Sequence, residues 1–423
     1  MSGRWLPPEL PHLARLLDPV TVGELVNTRP LPAQDLVECR LTHIRYRPYQ
    51  NCTLTWEGRT AAGIVRWFSI LACRDGQSRQ EYLTATTTSP FVASVGHDAF
   101  HLPGFDAVLR MFPSERRLDS LHWLAKPARL IEELAVLMPG KCDDVRLTIV
   151  QYVAERGCTV RLTNSAGATV AYGKFQRPGE SARTWRMINN LWSVRPHPSG
   201  LIIPEPLAWH AGSESFWLGE LAGQTLDGNL TNHHFPEVGR TLASLHRVRL
   251  DPSPPDIPDI ASQLPVKIAF LTAIRPDLEG RLKGLAQQLA AIEPQMEGEP
   301  ATLHGDLHLK NLIALPDGRI GLIDLDNLGY GDPLIDLGGF AASLYYRGLA
   351  PGHSPELTAH QVELLCQGYQ RATGAIINCA RLRALTAAAL INERAWRTVT
   401  RLRDDCLVMI ERLLAVAERM VTS

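Results

Sequence analysis

The chain has 423 residues, too many for one compact core, so two or three domains are expected. Apolar residues make up 45% and charged residues 21%, a globular rather than disordered composition. Its 43 basic and 44 acidic residues leave a net charge of −1, which gives no electrostatic case for nucleic acid or an anionic membrane as partner. The eight cysteines include no CxxC pair and read as reduced thiols of a cytoplasmic protein. No uncharged apolar run reaches the roughly 18 residues a membrane span needs. The N-terminus, MSGRWLPPELPHL, has prolines where a signal peptide needs an apolar run.

Residues 1–35 are proline-rich with one short amphipathic segment, PHLARLLDPV. Alternating, strand-like text follows: RLTHIRYRPYQNCTLTWEG, then GIVRWFSILACRDG. Residues 104–139 read as a mixed, mainly helical region. Strand-like text resumes in DVRLTIVQYVAERGCTVRLTNSAGATVAYGKF. At a constant offset of 106, Arg40, Leu41, Thr42, Tyr46, Cys52 and Thr53 fall on Arg146, Leu147, Thr148, Tyr152, Cys158 and Thr159. This is the mark of an internal duplication of a three-stranded unit. The same offset sets Phe68 against Lys174, so the first copy lacks that lysine. A helix is expected from Gly179, then LIIPEPLAWHAG as an extended piece and SESFWLGELAG as a strand. Helical text covers about 262–292 and about 355–420, with apolar residues at 3–4 spacing.

Chemistry concentrates in LHGDLHLKNLIALPDGRIGLIDLDNLGYGDPLIDLGGF, residues 303–340. Asp306 and Asn311 are separated by LHLK, and a short apolar strand follows. Pro316-Asp317-Gly318 between two apolar runs is a turn signal, so a hairpin returns the chain and brings Asp324 near Asp306 and Asn311. Two carboxylates and an amide then converge, a set suited to Mg²⁺. Phosphoryl transfer needs such a group: one carboxylate to take the acceptor proton, the others to hold metal against the phosphates. There is no Walker motif, which excludes a P-loop fold.

HGDLHLKN and IDLDNLGYGDPLIDLG resemble the catalytic loop and metal-binding stretch of the aminoglycoside phosphotransferase and choline kinase group. The resemblance implies an α+β, protein-kinase-like two-lobed fold with a small antiparallel β lobe and a larger helical lobe. A duplicated small-lobe-like β domain would precede it. By resemblance Asp306 is the catalytic base, Asn311 and Asp324 are metal ligands, and Asp326 is a further candidate ligand on the same strand face as Asp324. His304 and Asp336 become structural supports of the loop. Lys174 resembles the strand lysine that pairs the nucleotide phosphates, with Glu180 the only acid available to fix it before Glu205. Glu220, Leu221 and Ala222 would be the hinge that meets adenine. One departure is Lys310 before Asn311, where many relatives have Gly.

The implied organisation is a cap or small-lobe-like duplicate over 1–140, an ATP-binding lobe over 141–224 and a catalytic lobe over 225–423. A similar cap precedes the small lobe in maltokinase-like enzymes; a packing or homodimerisation module is the other reading. The function implied is ATP- and Mg²⁺-dependent transfer of a phosphate to a hydroxyl of a small-molecule acceptor: a sugar, amino sugar or amino alcohol. The alternatives are an aminoglycoside acceptor, nucleotidyl transfer, and a non-catalytic kinase-like protein. The last would have lost one of Lys174, Asp306, Asn311 or Asp324, and all four are present. No D-F-G to A-P-E activation segment exists, which argues against a protein kinase. Arginines at 381, 383, 394, 397, 401 and 403 tilt the acceptor towards a neutral or anionic molecule.

Overall fold

The structure, a computed structural model, describes residues 4–29, 35–88, 98–194, 200–251, 253–258, 260–292 and 299–422. The chain forms two compact units. The first comprises residues 1–183, 207–219 and 399–404; the second takes 184–206, 220–398 and 405–423.

Two β-sheets form in the first unit, one after the other along the chain. Short helices α1 (Leu13–Leu16) and α2 (Pro19–Asn27) lead into β1 (Leu36–Arg47), β2 (Asn51–Thr60) and β3 (Val65–Ala72). Then come α3 (Ser78–Thr88), β4 (Ala99–Leu102) and β5 (Ala107–Met111). Next, α4 (Pro127–Leu137) precedes β6 (Val145–Val153), β7 (Gly157–Asn164) and β8 (Thr169–Gln176), followed by α5 (Glu180–Ser193), which belongs to the second unit from residue 184, and then by β9 (Pro206–His210) and β10 (Ser215–Leu218). The first sheet has strand order β1-β2-β3-β5-β4 and the second β6-β7-β8-β10-β9, so each position in one has its counterpart in the other. In the second, Leu130 and Leu134 of α4 are fully buried with Phe175 and Trp217. Each such leucine contributes about 1.5–3 kcal/mol through its removal from water.

The duplication is longer than three strands. Tyr46 pairs with Cys52 and Tyr152 with Cys158 across equivalent hairpins. Thr42 Oγ1 donates to the Thr55 carbonyl and Thr148 Oγ1 to the Arg161 carbonyl, again 106 residues on. The Glu9 carboxylate accepts from the Tyr46 hydroxyl and the Tyr49 N–H, and Glu115 accepts from the Tyr152 hydroxyl and the Glu155 N–H. Tyr49 and Glu155 both take left-handed backbone, at φ 60° and 62°. On these matched contacts the second copy already includes Glu115.

After the β2–β3 and β7–β8 turns the offset changes. Thr53 faces Leu71, whereas its counterpart Thr159 faces Lys174. The second copy is three residues shorter at this turn, and the offset becomes 103 (Leu71 to Lys174). Arg74, Gly76 and Ser78 now match Arg177, Gly179 and Ser181. The position equivalent to Lys174 is therefore the buried Leu71, not Phe68 as the ungapped alignment has it. The expectation of helix from residue 104 also fails at its start. Residues 107–111 form β5, paired with both β3 and β4. A run as short as AVLRM carries no periodicity that separates strand from helix, and its two sheet neighbours decide.

In the second unit, β11 (Gln224–Thr225), α6 (His234–His246), α7 (Ile260–Ile274) and α8 (Glu279–Ala291) precede β12 (Ala301–Leu303). The hairpin β13 (Leu312–Ala314) and β14 (Ile320–Leu322) forms around Pro316-Asp317-Gly318, with Leu312 opposite Leu322. β15 (Gly329–Gly331) returns beside β12. Helices α9 (Pro333–Gly348), α10 (Pro355–Thr373) and α11 (Cys379–Ala389) follow. A π-helical segment, Leu390–Ala395, joins α11 to α12 (Trp396–Thr400), and α13 (Cys406–Thr422) ends the chain. Among the described residues, no helix is long and apolar enough to cross a membrane.

Candidate active site

The loop between β12 and β13 owes its shape to one buried carboxylate. Asp332 caps α9 by accepting from the Leu334 N–H, and Pro333 occupies the first helical position, where no N–H is needed. One turn further, Asp336 is buried with both oxygens aimed at the loop. The His304 N–H donates to Oδ2 at 2.7 Å and the Gly305 N–H to Oδ1 at 3.0 Å. Gly305 has φ +77°, and a Cβ there would lie 2.2 Å from the Asn327 carbonyl oxygen, so no other residue fits. His304 Nε2–H donates to the Ile323 carbonyl at 3.0 Å, which ties the loop to the far end of the hairpin.

Two residues outside the motif complete this support. His246, at the end of α6, lies with Nε2 3.2 Å from Asp336 and Nδ1 3.0 Å from the Tyr369 hydroxyl of α10. Helices α6 and α10 approach closely because Gly239 and Gly368 present no side chains to one another's backbone. Burial pushes the Asp336 carboxyl up. The hydrogen bond and charge of His246, with His304, outweigh that and hold it below the usual value.

Asp306 and Asn311 are joined by a direct hydrogen bond within the loop. The Asn311 side-chain N–H donates to the Asp306 backbone carbonyl at 3.0 Å, while the Asn311 backbone carbonyl accepts the Ile323 N–H. With its nitrogen engaged, the Asn311 amide has its oxygen left for a cation. Asp324 follows in left-handed backbone, at φ 61°, immediately after Ile323. Among the described residues no three His, Cys, Asp or Glu side chains gather as a metal-holding group. The donors here are an amide oxygen and aspartates, which fit Mg²⁺, a cation that draws its remaining ligands from phosphates and water.

The expected face-sharing of Asp324 and Asp326 does not occur. Strand β14 ends at Leu322, and residues 325–327 form a 3₁₀ turn that begins at the left-handed Asp324. Alternation along a strand therefore does not relate the two carboxylates. In the first unit, Lys174 lies on β8 opposite Phe216 of β10. Glu180, at the head of α5, is ion-paired with Arg177 at 2.6 Å. Residues 220–222 are irregular and belong to the second unit. Leu221 occupies the space that a side chain at Gly321 would need.

The residues that the motif analysis did not place beside the loop come from the π-helical segment and from α12. Arg397 Nη2 is 3.2 Å from Asp306 Oδ1. Arg394 is nearly buried; its Nη2 donates to the Gly339 carbonyl at 3.4 Å, and its Nε has no hydrogen-bond partner. Glu393 lies 3.7 Å from Arg394. Burial pushes the Glu393 carboxyl up, against the pull of Arg394 and Arg397. Burial likewise lowers the Arg394 pKa. Lys267 of α7 stacks its ammonium 3.8 Å from the Trp396 ring centroid. The sequence singles out Arg394 and Arg397 among the C-terminal arginines, but helical spacing alone does not set either one beside Asp306.

Residues 159–402 match the profile of the phosphotransferase enzyme family. The chain belongs to that family. The first copy lies outside the match. No curated protein matches the chain as a sequence. Among solved structures, a choline kinase from Cryptosporidium parvum is similar with a TM-score of 0.51 and 11% identity, over 70% of this chain and 95% of that one. The chain thus has a protein-kinase-like fold, with an additional β region at its N-terminal end. A choline kinase from Streptococcus pneumoniae matches at TM-score 0.48 and 15% identity, over 70% of this chain and 99% of that one. An amicoumacin kinase in complex with AMP-PNP and Ca²⁺ matches at 0.49 and 14%, over 70% and 96%.

Proposed function

We propose that this phosphotransferase uses ATP and Mg²⁺ to phosphorylate a hydroxyl of a small molecule, with a sugar, amino sugar or amino alcohol as the acceptor class. The observation that carries the proposal is the buried bracing of the 304–311 loop by Asp336, which fixes Asp306 and Asn311 relative to each other. Asp306 accepts the proton of the attacking hydroxyl. Asn311 and Asp324 would hold Mg²⁺, with Asp326 as a further candidate. When bound, the cation neutralises charge on the transferring phosphate. Lys174 is the proposed partner of the nucleotide phosphates, Glu180 its proposed support, and Glu220, Leu221 and Ala222 the proposed adenine contacts. The cysteines of the first and second units are all free thiols, which supports a cytoplasmic setting.

The arginines beside Asp306 favour a neutral or anionic acceptor, such as a sugar or sugar acid, over a polycationic aminoglycoside. A cationic acceptor would meet Arg397 where it must meet the base. The test is MgATP turnover, read as ADP release, across sugars, sugar acids, amino alcohols and aminoglycosides. Asp306→Ala is expected to lower turnover by about 10²–10⁴-fold. Arg397→Ala is expected to raise the acceptor KM while leaving the ATP KM in place. Wild-type protein that neither binds MgATP nor turns it over would sink the proposal.

A further inference from the structure

The turn between β6 and β7 (residues 154–156) occupies the place where kinases fold a glycine-rich loop over the nucleotide phosphates. Such loops work through free backbone N–H groups. In this turn those groups are taken. The Ala154 N–H donates to Thr55 Oγ1 of the first copy at 3.1 Å. The Glu155 N–H donates to Glu115 at 2.8 Å, and the Arg156 N–H to the Val153 carbonyl at 3.0 Å. Three successive donors are thus already engaged.

The side chain of Glu155 is held as firmly. It is 2% exposed, with Arg47 Nη2 of the first copy at 2.5 Å and Arg116 Nε at 2.8 Å. Arg116 is in turn held by Glu81 of α3, also in the first copy, at 3.0 and 3.1 Å. Burial pushes the Glu155 carboxyl up, but Arg116 and Arg47 outweigh this and keep it below its usual value, so it stays charged. The comparison within the chain is direct. Tyr49, the same turn position in the first copy, is 54% exposed.

We propose that the first copy acts as a fixed brace on the nucleotide turn of the second, with Arg47, Thr55 and Glu81 as positioning residues. This rests on the reading that the second copy binds ATP. The turn then serves as a rigid wall set before the nucleotide arrives, and ATP affinity depends on a region outside the family match. Without the brace, the ordering of the turn must be supplied by the nucleotide's own binding free energy.

The test compares full-length wild type with Arg47→Ala and Thr55→Val, by calorimetric MgATP binding and by steady-state kinetics on the acceptor found above. Arg47→Ala is expected to raise the ATP Kd and KM about tenfold, with kcat at saturating ATP and the acceptor KM within about twofold, because ordering cost appears in binding. Arg47→Lys should restore part of the affinity. Thr55→Val, which keeps shape and removes one acceptor, should act in the same direction more weakly, and serves if Arg47→Ala does not fold. Tyr49→Ala should change nothing. Folded Arg47→Ala or Thr55→Val protein that binds MgATP as the wild type does would overturn the brace. Failure of the wild type to bind MgATP would overturn the nucleotide reading itself, and the brace with it.

Discussion

Leu71 and Lys174 occupy one position in two sheets that share strand order, turn conformation and an anchoring glutamate. In the first copy the site is filled by a buried leucine; in the second, by a lysine at intermediate exposure. The other difference is downstream: the second copy is followed by the braced 304–311 loop, and the matched family profile starts only within that copy. Duplication has therefore kept the scaffold twice, while Lys174 and the braced loop stand once. What the first copy retains is a surface that seats the turn of the second.

The sharpest way to break this comparison is to exchange what the two positions do. Lys174→Ala should lower kcat/KM for ATP by about 10²–10³-fold, the cost of removing a preorganised charge from a transition-state site, with the melting temperature nearly unchanged. Leu71→Ala should do the opposite. A buried leucine truncated to alanine costs about 2–5 kcal/mol of stability, while kcat/KM per folded molecule is kept. Thermal melts and kinetics on both variants check this. Equal kinetic losses would mean that the first copy also handles nucleotide.

The second difference, the braced loop, is tested by Asp336→Asn. It leaves the His304 and Gly305 N–H groups with at best one good acceptor and should cost about 1–3 kcal/mol. The wild-type carboxyl is held below its usual value, so the folded state binds its proton less tightly than the unfolded state. Its stabilisation is full above the unfolded carboxylate range and is lost as pH falls through the folded value. Denaturant melts should therefore show a wild-type advantage over Asp336→Asn that is constant above about pH 5 and shrinks below about pH 4. An advantage that instead grew with acid would show that Asp336 is not the ionised brace.

Much of the candidate site was legible because particular residue types fall at short local spacing in one segment. His304, Asp306, Asn311, Asp324 and Asp336 fall within 33 residues, and the Pro-Asp-Gly turn fixes the hairpin between them. The rest was hidden for identifiable reasons. A three-residue difference in one turn displaced the match of Lys174 from Leu71 to Phe68. Strand β5 is set by the strands on either side, not by its own pattern. The turn after Ile323 moved Asp326 off the expected strand. Arg397 and Asp306 are 91 residues apart in sequence, and the bracing of Asp336 by His246 and Tyr369 spans 90 to 123 residues.

The smallest effect is also the cleanest probe of whether the copies remain alike away from the chemistry. Gly76 and Gly179 end matched turns before α3 and α5, with φ +77° and +78°. At both, a Cβ would meet nothing within 4 Å, so substitution would leave packing undisturbed and change only backbone preference. Alanine at either should cost about 1–2 kcal/mol, the penalty of left-handed backbone for a residue with a Cβ, offset in part by lost chain entropy in the unfolded state. The two values should agree within about 0.5 kcal/mol in paired denaturant melts. A larger cost at Gly179 accompanied by a raised ATP KM would mean that the second copy's turn moves during turnover. Equal costs with unchanged kinetics would mean that both turns are scaffold, and that the chain's duplicated part differs in function through side chains alone.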